Sequence, residues 1–86
     1  MEKETEYETY DYSKLRGKIK EIYNTQDAFA EKLGIGRVTL SSRLNNSSDF
    51  SQTEMFKACR LLSIDLKEVS AYFFTLKVQK DEHKRL

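Results

Sequence analysis

From Tyr12 to Phe73 the apolar residues recur every three or four positions, the spacing that lays side chains along one side of an α-helix. Leu15, Ile19 and Ile22 predict a first helix over about Tyr12–Tyr23, with Asp11 or Ser13 as cap and Lys14, Lys18 and Lys20 outside. Phe29, Ala30 and Leu33 predict a second helix, and Leu40 and Leu44 a third. A fourth carries Met55, Ala58, Cys59 and Leu62 inward. Its start is the clearest in the chain: Ser51 and Glu54 match a capping box, and Phe50 before the cap can close on Met55 as a hydrophobic staple. Ser63, Ile64 and Asp65 read as a connection to a fifth helix, Leu66 to about Phe74, with Leu66, Val69 and Phe73 on one side. Tyr72 and Phe74 are then left over by a monomer core of this size.

Beyond Phe74 the period changes. Phe74, Thr75, Leu76, Lys77, Val78 and Gln79 alternate apolar and polar, which permits a short strand, but no hairpin partner is evident nearby. Either this segment pairs with its copy in a second subunit, making Tyr72, Phe74, Leu76 and Val78 dimer contacts, or the fifth helix continues through Leu76. The chain thus divides into an acidic segment 1–11, a helical domain 12–74 and an extension 75–86 ending in the charged KDEHKRL. The fold class expected is all-α, a compact five-helix domain with a short C-terminal strand or helix extension.

The most informative stretch is Thr25 to Asn45, TQDAFAEKLGIGRVTLSSRLN. Thr25 can cap the second helix, with Gln26 and Asp27 at its positive end. Gly34 suits the left-handed turn that ends it, and small Ala30 lets the two axes cross closely. With Leu40 and Leu44 turned inward, Arg37, Val38, Ser41 and Ser42 point the other way, a helix-turn-helix with a short-chained polar outer face. Gly17, within the first helix, is unfavourable by about 1 kcal/mol relative to alanine; it marks either a close backbone approach or an unoptimised solvent position.

Charge strengthens this picture. The net charge is +1, yet residues 1–12 carry −4, which leaves +5 for the rest. No carboxylate lies between Glu31 and Asp49, seventeen residues in which an ordinary solvated helix would hold acid and base at i, i+4. That favours a polyanionic partner. The acidic head, with Tyr7, Tyr10 and Tyr12, is either a tail that weakens non-specific DNA contacts or a solubility device whose end packs on the first helix.

Five helices with the turn at the second and third resemble the λ-repressor-like DNA-binding domain shared by phage Cro and CI repressors. The resemblance runs from about Ser13 to Phe74 and rests on Gln26, Ala30, Gly34, Ile35 and Leu40, followed by the pattern ending in YFF. The whole chain looks most like small Cro-type regulators of temperate phages of Gram-positive bacteria. The resemblance implies that Gln26 clamps a phosphate while Arg37, Val38, Ser41 and Ser42 face base edges. The chemistry agrees, since arginine can fork onto guanine O6 and N7, valine can touch a thymine methyl, and serine can donate or accept. Thr39, Arg43, Asn45 and Asn46 are placed for phosphates. Arg43 departs from the pattern, which commonly has an apolar residue there, and Gly36 replaces the usual capping serine or threonine.

The function expected is a sequence-specific repressor in the bacterial cytoplasm, bound as a homodimer to a pseudo-palindromic operator in double-stranded DNA. The alternative is a protein-binding module, an antirepressor or antitoxin-like partner on the same scaffold, working through its aromatic C-terminus. Catalysis is not expected: His83 stands in a charged tail and Cys59 in an apolar stripe. One histidine and one cysteine cannot complete a tetrahedral metal site, and no glycine pattern fits a phosphate or dinucleotide loop, so no metal, cofactor or small-molecule ligand is expected. No stretch approaches the ~18 apolar residues of a membrane span.

Overall fold

The structure, a computed structural model, describes residues 9–77. Helix α1 is Ser13–Tyr23, α2 Gln26–Leu33, α3 Arg37–Leu44, α4 Gln52–Leu61 and α5 Val69–Phe73, the last preceded by a 3₁₀ turn at Leu66–Glu68. Among the described residues the fold is all-helical. Val78 and His83, singled out in the sequence, lie outside the described residues.

Local chemistry sets each boundary. The Asp11 carboxylate accepts from the Ser13 amide at 2.9 Å and from the Ser13 hydroxyl, which satisfies an orphan donor at the start of α1. Thr25 accepts from the Ala28 amide at 3.1 Å to open α2, and Gly34, at φ 87°, closes it. That value is strained for any residue with a Cβ, so the sharp turn into α3 depends on glycine. Gly36 starts α3 with no side-chain cap. The capping box of α4 is complete, with Ser51 accepting from the Glu54 amide at 3.0 Å and Glu54 from the Ser51 amide at 3.0 Å.

α2 packs on α1, α3 and α4, while α5 packs on α1 and α4. Their shared core holds Leu15, Ile19, Phe29, Leu40, Leu62 and Phe73, each no more than 1% exposed. Burying such a side chain stabilises by about 1.5–3 kcal/mol, so these six dominate the packing energy. Cys59 is buried with them, and that burial pushes its thiol pKa up, which suits packing rather than reactivity.

Four expectations need correction. Ile22 is 43% exposed, because in the last turn of α1 it is Tyr23 that turns inward, its ring packing on Phe29 of α2 at 5.3 Å. Ile64, read as a connector, is buried at 6%, whereas Leu66 is 51% exposed, because the fifth helix opens as a 3₁₀ turn whose tighter winding rotates its residues. Tyr72 is not left over for a dimer: it is buried at 8%, with Lys14 Nζ 5.0 Å above its ring. Last, the alternating C-terminal segment has a partner within the chain. Leu76 pairs antiparallel with Tyr10, flanked by bonds from the Asp11 amide to the Thr75 carbonyl at 2.8 Å and from the Lys77 amide to the Thr9 carbonyl at 3.0 Å.

That pairing anchors a chain of aromatic rings. Phe74 meets Tyr10 at 6.0 Å, Tyr10 meets Tyr12 at 6.1 Å, Tyr12 meets Phe50 at 5.4 Å and Phe50 meets Phe73 at 5.1 Å. Three of the four contacts are edge-to-face, the arrangement the ring quadrupole favours.

Candidate nucleic-acid interface

The inward face of α3 is fixed by Leu40 and Leu44, at 0% and 3% exposure. Its outward residues Arg37, Val38, Ser41 and Ser42 therefore stand together, and with Gln26, Asp27 and Asn45 they line one open groove of about 420 Å³ between the start of α2 and the length of α3. The residues expected to face bases are thus brought together with Gln26 beside them. Val38, 77% exposed, is the most prominent apolar point on this face.

The charges on the face are not free. Arg37 Nη1 donates to Asp27 Oδ2 at 3.1 Å, an ion pair whose side chains are both about two-thirds exposed. Such a pair contributes at most about 1 kcal/mol in water, so Arg37 can exchange its partner readily. Arg43, expected at a phosphate, is held by partners within the protein. Its Nε and Nη2 fork onto Glu54 Oε1 and Oε2 at 2.8 and 3.1 Å, and its Nη1 donates to Ser48 Oγ at 2.7 Å. The two side chains are only 20% and 16% exposed. The Arg43 hydrogen bonds hold the Glu54 carboxyl below its ordinary pKa of 4.5, more than burial raises it, and the same bonds hold Arg43 protonated. Arg43 therefore ties α3 to the start of α4 instead of facing outward.

Asn46, also expected at a phosphate, is engaged within the protein. Its Oδ1 accepts from the Tyr10 amide at 2.8 Å and its Nδ2 donates to the Tyr10 carbonyl at 3.0 Å, so it clamps the N-terminal segment as a backbone surrogate. Its φ of 65° is one that asparagine tolerates better than most residues. Thr39 is half-buried at the start of α3, outside the groove lining. Asn45 does stand at the groove, where its Nδ2 reaches Ser41 Oγ at 3.4 Å.

Two basic residues that sequence reading left aside border this site. Arg16 Nη2 donates to the Leu44 carbonyl at 3.2 Å and to Asn45 Oδ1 at 3.1 Å, covering the negative end of α3. With Lys20, one turn on, Arg16 also lines the depression beside Thr25 and Gln26. Their i, i+4 spacing on the polar side of α1 was the available signal. Lys57, which bonds the Leu33 carbonyl at 3.0 Å, closes α2 from twenty-four positions away and left no local signal.

No group of three or more histidine, cysteine or acidic residues placed to hold a metal occurs among the described residues. None of the described helices is long and apolar enough to cross a membrane.

No match was found among curated proteins. Among solved structures, the chain is similar to the solution structure of the modulator of repression of the temperate bacteriophage TP901-1 from Lactococcus lactis, with a TM-score of 0.70 and 38% identity over 81% of this chain and 95% of that one. That neighbour is a phage regulatory protein, not an enzyme, and the resemblance to phage regulators holds at this level. Residues 8–76 match the family described as protein of unknown function (DUF739), and the chain belongs to that family.

Proposed function

We propose that the protein regulates transcription in a temperate phage by laying α3 in the major groove of duplex DNA. One observation carries this reading: Arg37, Val38, Ser41 and Ser42 line a single open groove with Gln26, while Leu40 and Leu44 seal the opposite side of the same helix. A bidentate arginine near the helix start, a methyl contact from valine and two adaptable hydroxyls suit base edges. Gln26, Asn45, Arg16 and Lys20 border the groove where phosphates would pass. A homodimer would set two such helices about 34 Å apart on a pseudo-palindromic operator. With Tyr72 buried, the pairing surface falls to the half-exposed Phe74 and Leu76.

A second reading is favoured by the electrostatics. Arg37 and Arg43 are each matched to a carboxylate, and the groove carries Asp27 and the exposed Val38, a mixture that also suits a protein surface. The neighbour's name, modulator of repression, fits a regulator acting on DNA or on another regulator alike.

Selection of duplexes from a random pool separates the two. The DNA reading expects enrichment of a symmetric site, binding that weakens steeply with salt, and a loss of about 1–3 kcal/mol on that site for Arg37→Ala. Absence of enrichment, with no salt-dependent binding, moves the function to a protein partner.

A further inference from the structure

Asp27 is the single carboxylate lining the groove of α2 and α3, and it is bonded to the one arginine there. Both side chains are largely exposed, so in the free protein water screens the pair and it does little for stability. Docking changes its surroundings. A surface pressed against a duplex loses its water, and the same pair then acts in a lower dielectric, where the interaction strengthens several-fold.

The geometry suits a buttress. A guanidinium has five N–H donors, and Nη1 gives one of them to Asp27 Oδ2 at 3.1 Å. The others remain for a forked contact with guanine O6 and N7. Arg37 is also the first residue of α3, where the positive end of the helix repels its charge, while Asp27 sits in the first turn of α2, where the helix favours an anion. The carboxylate thus offsets the unfavourable end of α3 for Arg37, weakly in water and more strongly once the face is desolvated.

Building on the DNA reading above, we propose that Asp27 is a specificity-determining positioning residue, which aims Arg37 at one base and makes the face repel phosphates that offer no base-edge contact in return. Paired with Asp27, the cation on the reading face adds little net attraction for phosphate, while its remaining donors stay available to guanine. Attraction to random sequence is therefore lowered, while the cognate contact is kept.

The test compares wild type, Asp27→Asn, Arg37→Ala and the double variant Asp27→Asn/Arg37→Ala on the duplex selected by wild type and on a random duplex, over a range of salt. Asparagine keeps the size of the side chain, and an unchanged thermal midpoint verifies the fold. Asp27→Asn is expected to bind random duplex severalfold more tightly with a steeper salt dependence, and to lower the ratio of selected to random affinity about tenfold. Relative to Arg37→Ala alone, the double variant should show no further loss of ratio. Equal gains on both duplexes, or no change on either, overturn the proposal while leaving the DNA reading intact. Wild type binding neither duplex overturns that reading and this proposal together.

Discussion

The two ends of α1 face two differently built regions. On one side lies the α2–α3 face, where side chains meet solvent, the Arg37–Asp27 pair is exposed and the most prominent apolar residue, Val38, is 77% exposed. On the other lies the terminal clamp, where the rings of Phe74, Tyr10, Tyr12, Phe50 and Phe73 meet one after another and Asn46 and the Tyr10–Leu76 pairing fasten the backbone. The first region spends little of the folding energy and keeps its polar groups available. The second spends them all on cohesion. A surface meant for an external partner should tolerate truncation without unfolding, whereas a clamp should not.

The sharpest way to break this contrast is to truncate the hub of the clamp. Tyr12 is 6% exposed and touches both Tyr10 and Phe50, so Tyr12→Ala should cost about 3–5 kcal/mol in denaturant unfolding, as for other large core aromatics. Val38→Ala, at the equivalent point of the other region, should change stability by no more than about 0.5 kcal/mol. A Tyr12→Ala loss below about 1 kcal/mol would place residues 9–12 outside the cooperative unit.

The α3–α4 junction offers a pH test of intermediate size. Glu54 has a folded-state pKa held below its ordinary value by Arg43, so its stabilisation is fully present above the ordinary carboxylate range and is lost as pH falls through the lowered folded value. Charge-assisted bonds of this kind contribute about 2 kcal/mol. Stability of the wild type should therefore fall as pH drops below about 4.5, and Glu54→Gln should start lower at neutral pH and show a flatter acid limb. Asp11 is lowered in the same direction by its bonds to Ser13, but those bonds face solvent, so Asp11→Asn should flatten that limb less. The reverse ranking would mean that acid acts first on the clamp.

The same contrast explains what could be read in the residues themselves. The helical domain and the outer face of α3 follow from local facts: apolar spacing, Thr25 and Ser51 as caps, Gly34 at a positive φ. The clamp follows from contacts across thirty-six positions between Asn46 and Tyr10 and across the bridge from Tyr10 to Leu76, which no local spacing encodes. The alternation at Phe74–Lys77 was visible, but its partner lay at the far end of the chain, in a segment set apart by its acidity. Arg43 shows the intermediate case. The family pattern has an apolar residue at this position, yet only the position of Glu54 in three dimensions explains how the charge of Arg43 is satisfied there.

The smallest effect sharpens the comparison at the element the two regions share. Gly17 lies within α1, between Tyr12 on the clamp and Lys20 on the groove side, and a Cβ built there meets nothing within 4 Å. The close-approach explanation for this glycine is therefore set aside, and only its conformational entropy matters. Gly17→Ala should raise stability by about 0.5–1 kcal/mol by restricting the unfolded chain and favouring the helix. Because the added methyl touches neither region, affinity for any partner of the α2–α3 face should stay unchanged while the unfolding midpoint rises. A parallel change in affinity would show that the position of Arg16 and Lys20 depends on the stiffness of α1, and that the two regions are coupled through it.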